Sequence, residues 1–231
     1  MISELSDRLA AVRHRVDAAA IDCGRDPAVI SLISVGKTFP AAVVNEAVNA
    51  GATDLGENRV QEAVAKRPEV AKARWHLIGP LQRNKARAAL EVFDIVHTVD
   101  RFEIADRLQY LLTEHWTERI LDVLVEINVA EEPQKAGALP EDARELLEHA
   151  LGCDRLSVCG LMAIPPWAED PEASRPWFRK LRELRDRLQY EVGHSLPELS
   201  MGMSHDFEIA IAEGATMVRV GTAIFGPRGT A

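Results

Sequence analysis

The alternation of short apolar runs with helical stretches constrains this chain more than any other feature. Ile30–Gly36, Asp54–Glu57, Trp75–Gly79, Ile95–Val99, Ile120–Val129, Leu156–Ile164, Leu199–Met203 and Met217–Gly221 are short, and most of them are rich in apolar residues. A run that is apolar on both faces can be buried only in a sheet covered on both sides, the situation of a parallel strand. Between these runs the apolar residues recur at helical spacing, as in the Val43, Val44, Ala47 and Val48 stretch that Pro40 opens and Gly51 closes.

The chain begins with a further helical stripe, Ile2, Leu5, Leu9, Val12, Val16 and Ala19–Ile21, which Gly24 and Pro27 end. Asp100 is placed to cap the helix that runs to His115, and Ser204 to cap the helix after the seventh run. A long charged helix is expected from about Pro171 to Tyr190. About eight strand–helix units in this length predict a single (β/α)8 barrel of the TIM type with one extra N-terminal helix, a single domain over residues 1–231. An open doubly wound sheet is the rival, but no GxGxxG follows the first strand.

With 231 residues, 47% of them hydrophobic, the chain can bury one large core. Its net charge of −9 argues against a general nucleic-acid binder and against binding to anionic membrane surfaces. No apolar run reaches about 18 residues, so no membrane span is expected. Glu4, Asp7 and Arg8 near the start exclude an apolar signal sequence there. Cys23, Cys153 and Cys159 form no CxxC, which points to a reducing, cytoplasmic setting and to no metal cluster.

In a barrel the chemistry sits at the C-terminal ends of the strands, and phosphate binds most often in the loops after the seventh and eighth. The uncommon residues fall there. Lys37 closes the first strand, Asn58 the second and the Gly79–Asn84 loop the third. Asn128 closes the fifth, Met162 lies near the end of the sixth, Ser200–Ser204 close the seventh, and Arg219, Gly221 and Thr222 close the eighth. Taken alone, Lys37 reads either as a solvated strand end or as an amine activated for Schiff-base chemistry. Arg219, inside an apolar strand, needs a partner: a barrel carboxylate or a ligand. Gly221-Thr222 offers close backbone approach and a hydroxyl for phosphate, or a plain turn. The free amides of Ser200–Ser204 offer the same choice. His14, His97, His115, His149, His194 and His205 show no ligand spacing and read as surface or structural, while His76 points either into the barrel mouth or outside.

Together these segments resemble a known family. Val35-Gly36-Lys37-Thr38, Gly56-Glu57-Asn58-Arg59-Val60-Gln61-Glu62 and Trp75-His76-Leu77-Ile78-Gly79-Pro80-Leu81-Gln82-Arg83-Asn84-Lys85 are three of the matching motifs. His97–Arg101, Gly160–Ile164, Leu199–Ser204 and Val218–Gly226 are the others, in order over nearly the whole chain. The family is that of the YggS/PROSC pyridoxal phosphate homeostasis proteins, related to the N-terminal barrel of alanine racemase.

The resemblance implies a barrel that holds pyridoxal 5′-phosphate as an aldimine to Lys37. It implies that Arg219 faces the pyridine nitrogen, that Ser200, Gly221, Thr222 and the backbone near Met203 bind the phosphate, and that Asn58, Ile78 and Met162 surround the ring. Gly36 departs from the serine many members carry there, which is expected to loosen the loop. An arginine cannot give up its proton, so it leaves the pyridine nitrogen unprotonated and the ring a poorer electron sink. Racemisation then needs two placed bases. In alanine racemase the second is a tyrosine from the partner's C-terminal β-domain, for which these 231 residues hold no counterpart. Tyr110 and Tyr190, the chain's two tyrosines, are expected on outer helix faces. The expectation is a monomeric cytoplasmic protein of vitamin B6 homeostasis, buffering or delivering the cofactor to apo enzymes and shifting amino- and keto-acid balance without robust catalysis. A weak amino-acid racemase is the alternative, and a cofactor-free Schiff-base barrel a more distant one.

Overall fold

A computed structural model describes residues 4–227. Among them, eight parallel strands close into a barrel in chain order: β1 (Ser31–Val35), β2 (Asp54–Glu57), β3 (Arg74–Leu77), β4 (Ile95–Val99), β5 (Leu121–Glu126), β6 (Leu156–Met162), β7 (Glu198–Met203) and β8 (Met217–Val220), which pairs back with β1. The helices are α1 (Glu4–Asp22), α2 (Ala41–Asn49), α3 (Val60–Lys66), α4 (Ala86–Val92), α5 (Phe102–His115), α6 (Ala143–Leu151), α7 (Arg175–Val192), α8 (Phe207–Ala212) and α9 (Thr222–Phe225). The expected (β/α)8 barrel with an N-terminal helix is present. Ile2 and both ends of the 1–231 span lie outside the described residues.

The extra helix has a structural task. The outer helices α8 and α9 are too short to cover their strands, and α1 packs against both through Leu5, Leu9, Val12, Val16 and Ala20. Arg8 Nε donates to Ile224 O at 2.7 Å, and Arg25 Nη1 donates to Ile211 O and Ala215 O at 2.7 and 2.8 Å.

Most of the core lies between strands and helices, around Trp75, Phe93, Phe178 and Phe207. A smaller cluster fills the barrel: Ile33, Val35, Ile78, Ile95, Leu124, Met162 and Met217. The two-residue period of a strand puts the buried polar residues on the same inner faces. His76 shares the interior with Ile78, His97 with Ile95 and Arg219 with Met217, while Trp75, Val96, Val218 and Val220 face the helices.

Three expectations are corrected. Asp100 does not cap α5: Arg101 occupies the N-cap position, and the Asp100 carboxylate accepts from Arg101 Nη1 at 2.6 Å. Ser204 does not cap α8, whose N-cap residue is Asp206. Asn128 lies beyond β5, because Ala138 returns to pair there, with Ala138 N donating to Glu126 O and Asn128 N to Ala138 O. The Asn128 side chain is spent on the backbone of Glu132 in the same loop.

Candidate functional site

A cavity of about 400 Å³ opens at the C-terminal mouth of the barrel. Of the nine residues expected at a site, it gathers Lys37, Asn58, Ile78, Met203, Arg219, Gly221 and Thr222. These come from five of the eight strand ends, which only barrel closure brings together.

Lys37 is held by a tight turn. Phe39 N donates to Gly36 O at 3.1 Å, and Thr38 adopts φ 70°, the left-handed region where a β-branched residue is strained. Thr38 N donates to Glu62 Oε2 at 3.0 Å, which ties the turn to α3. From the same helix the buried Lys66 Nζ donates to Gly36 O at 2.9 Å and to Glu57 Oε1 at 2.6 Å. Burial pushes the Glu57 carboxyl up and the Lys66 contact pulls it back. The Gly36 loop is therefore clamped rather than loosened. A Cβ at Gly36 would stand 2.8 Å from Val44 Cγ2, so the valine of α2 fills the space a serine would need.

Asn58 is positioned by backbone contact with the next strand end. A Cβ at Gly79 would fall 2.3 Å from Asn58 O, so only glycine allows that approach, and Thr98 Oγ1 donates to Gly79 O at 2.9 Å behind it. Asn58 Oδ1 is buried at the cavity wall with no hydrogen-bond partner among the described residues. A buried acceptor left in that state costs free energy unless a ligand donates to it.

Arg219 is 3% exposed and forms no ion pair among the described residues. Its Nη1 donates to Ser200 Oγ at 2.6 Å and its Nη2 to Ala163 O at 2.9 Å. Burial lowers its pKa to about 10, opposed by the charges of Glu126 and Asp206. Burial likewise raises Glu126 to about 7, with Asp100 adding to the rise and Arg219 opposing it.

These contacts correct two expected ligands. Ser200 does not reach the cavity: its hydroxyl is fully buried between Arg219 and His97, so it serves the arginine rather than an anion. Met162 is also fully buried, packed in the barrel interior below the mouth. The Met203 side chain lines the cavity, but its amide is taken by Asp206 Oδ1 at 2.8 Å. Two converging amides lie instead just past the end of β8. Gly221 N and Ala223 N both point at Ser204 Oγ, at 3.1 and 3.5 Å, so an oxygen already occupies the place where two amides converge.

Val35, Phe39, Ile164, Trp167, Ser204 and His205 complete the lining. Phe39 stacks on Phe225 with ring centroids 5.2 Å apart, and Trp167 stacks on His205 at 6.3 Å while remaining 77% exposed at the rim. Sequence reasoning missed Phe39 and Trp167, although each stands beside a proline (Pro40, Pro166) in a loop at a strand end, the one signal available. Nothing in sequence marked Lys66. Tyr110 and Tyr190 are 55% and 89% exposed on α5 and α7, away from the cavity, as expected.

Residues 8–229 match the family model of the alanine racemase N-terminal domain. The pyridoxal phosphate homeostasis protein of Aquifex aeolicus is 46% identical over 225 residues, covering 96% of this chain and 97% of that protein. The protein of the same name in Escherichia coli is 42% identical over 234 residues, 98% of each chain. Among solved structures, PipY of Synechococcus elongatus with PLP bound superposes with a TM-score of 0.84 at 37% identity, over 96% of this chain and 100% of that one. Alanine racemase of Clostridium difficile, 14% identical, shares the fold with a TM-score of 0.72, over 97% of this chain and 58% of that one. The chain therefore belongs to the alanine racemase N-terminal domain family, among its pyridoxal phosphate homeostasis proteins.

Proposed function

We propose that this protein binds pyridoxal 5′-phosphate at the barrel mouth and buffers or delivers it in vitamin B6 homeostasis without robust turnover. One observation carries the reading: a single cavity brings together the Lys37 amine, the buried Arg219 and Asn58 Oδ1, which has no partner among the described residues, while both tyrosines lie outside it. The residues fit the group. Lys37 Nζ would supply the amine that holds the cofactor through its aldehyde carbon. Arg219 would donate to the ring nitrogen, Ile78 would pack against the ring, and the Asn58 side-chain amide would meet the phenolic oxygen at the ring's edge. Gly221, Thr222 and Ala223 hold the phosphate, with Ser204 yielding its place among the amides. When bound, the cofactor supplies an aldehyde and an electron-withdrawing ring. Ser200 and Met162 support this set from below.

The restraint on catalysis follows from Arg219. It has no acceptor and cannot protonate the ring nitrogen. Among the described residues no tyrosine stands across the cavity from Lys37 as a second base. The relatives' names support a homeostatic role. A monomer, a cytoplasmic location and apo pyridoxal phosphate enzymes as recipients belong to the same proposal. Among the described residues no helix is long and apolar enough to cross a membrane.

The test is the absorbance spectrum of purified wild-type protein and Lys37→Ala with added pyridoxal phosphate, before and after borohydride. Wild type is expected to show a band near about 420 nm that borohydride bleaches, and Lys37→Ala none from a protein-bound linkage. A wild type that stays colourless overturns cofactor binding and favours a cofactor-free Schiff-base barrel. Chiral chromatography after long incubation with L-alanine and L-serine tests the rest. D-isomer above the protein-free control would establish the weak racemase instead.

A further inference from the structure

Asp54, His76, His97, Ser200 and Arg219 form a file inside the barrel from its floor to the cavity. Asp54, at the start of β2, holds Arg74 Nε at 2.6 Å and Thr53 Oγ1 at 2.7 Å. Its Oδ1 lies 2.8 Å from His76 Nε2. His76 Nδ1 lies 2.9 Å from His97 Nε2, and His97 Nδ1 lies 2.9 Å from Ser200 Oγ. Ser200 Oγ then meets Arg219 Nη1 at 2.6 Å, and Arg219 lines the cavity. His76, His97 and Ser200 are fully buried, out of contact with bulk solvent.

The two ends of the file fix the direction of every proton in it. Burial pushes Asp54 up, but its hydrogen bonds from His76, Thr53 and Arg74 outweigh this and hold it well below the usual carboxylate range. As an anion it can only accept, so His76 carries its proton on Nε2. Burial pushes both imidazoles down and so favours the neutral ring, which has one bare nitrogen. His76 Nδ1 must then accept from His97 Nε2, and His97 Nδ1 must accept the Ser200 proton. Ser200 Oγ is left with its lone pairs turned to Arg219. Every link donates toward the floor.

We propose that Asp54, His76, His97 and Ser200 are positioning residues, a one-way hydrogen-bond relay that fixes the Arg219 guanidinium and turns its remaining N–H donors to the cavity. An occupant must present a bare acceptor there, a neutral heteroaromatic nitrogen rather than a protonated one. With the anion gone from the floor, both imidazoles can take the other tautomer. His97 then donates to Ser200, whose own proton loses its acceptor and must turn away from the donor-only Arg219, loosening the hold on the guanidinium. The inference rests on the cofactor reading for what fills the cavity, but the relay itself is a property of the unliganded chain.

Two measurements test it. In the unliganded protein, two-bond 1H–15N correlation of the histidine side chains is expected to show His76 and His97 neutral and Nε2-protonated from about pH 6 to 8. A doubly protonated ring, or an Nδ1–H tautomer at either position, overturns the relay. The second measurement is a double-mutant cycle on the dissociation constant for pyridoxal phosphate. His97→Leu is expected to weaken binding about tenfold in the wild-type background and by less than about twofold in Arg219→Leu. His97→Gln, which can accept from Ser200 and donate to His76, is expected to restore affinity. Equal losses in both backgrounds would mean a merely structural histidine and overturn the proposal. If His97→Leu does not fold, Ser200→Ala takes its place in the cycle with the same expected pattern. Absence of binding by wild type would refute the cofactor reading while the tautomer measurement still judged the relay.

Discussion

At the scale of single residues, two buried charges make opposite demands. Lys66, 7% exposed, neutralises Glu57 and pins the carbonyl of Gly36. Removing one partner of a buried pair leaves the other charged and unsolvated, so Lys66→Met is expected to lower stability by about 3–5 kcal/mol in urea unfolding. The double variant Lys66→Met/Glu57→Gln should recover a large part of that loss. Glu126 is the reverse case, since its Oε2 is buried with no partner among the described residues and burial raises its pKa from 4.5 to about 7. The folded state keeps the proton longer than the unfolded chain, so stability falls as pH rises through this window. Wild type should therefore lose on the order of 2 kcal/mol between about pH 5 and 8 relative to Glu126→Gln, with the two converging at low pH. A parallel pH dependence in both proteins would refute the assignment to Glu126.

At the scale of elements, the lysine turn shows how a packing choice on one helix fixes the chemistry of a neighbouring loop. Val44 of α2 occupies the volume a Gly36 side chain would need, 2.8 Å from the position of its Cβ. Gly36→Ser is expected to cost about 1–3 kcal/mol through overpacking. Adding Val44→Ala should make the pair less destabilising than the sum of the two single changes. Strict additivity in chemical unfolding would show that the glycine is required for some other reason. The α1 helix acts at the same scale, closing the barrel wall where α8 and α9 are too short to do so.

At the scale of the whole molecule, the cavity is assembled from loops of several strands, so occupying it ties together segments far apart in the chain. A ligand bound only by the folded barrel stabilises it by mass action. Pyridoxal phosphate at about a hundred times its dissociation constant should add about 2.7 kcal/mol, a rise in Tm of about 5–10 °C by scanning calorimetry. In Lys37→Ala the rise should shrink sharply at the same concentration. An equal shift in both proteins would place the stabilising contact away from Lys37.

The sequence by itself determined the barrel, because alternating buried runs and helical stripes are local patterns and the two-residue period of a strand says which residues share a face. It also determined that Lys37, Asn58, Arg219, Gly221 and Thr222 stand at strand ends, hence on one rim. What it left open is which neighbour receives each proton. Ser200 stood in a phosphate-binding motif, yet His97, 103 residues away, and Arg219 claim its hydroxyl. The Met203 amide goes to Asp206, and Ser204 stands among the amides of the next strand end instead of capping α8. These outcomes depend on the stagger with which the strands close, including the irregular β7–β8 register between Ser200 and Met203. Only tertiary structure decides them, because a buried polar atom takes the nearest partner in space and the spacing of residues along one strand carries no record of the strand beside it.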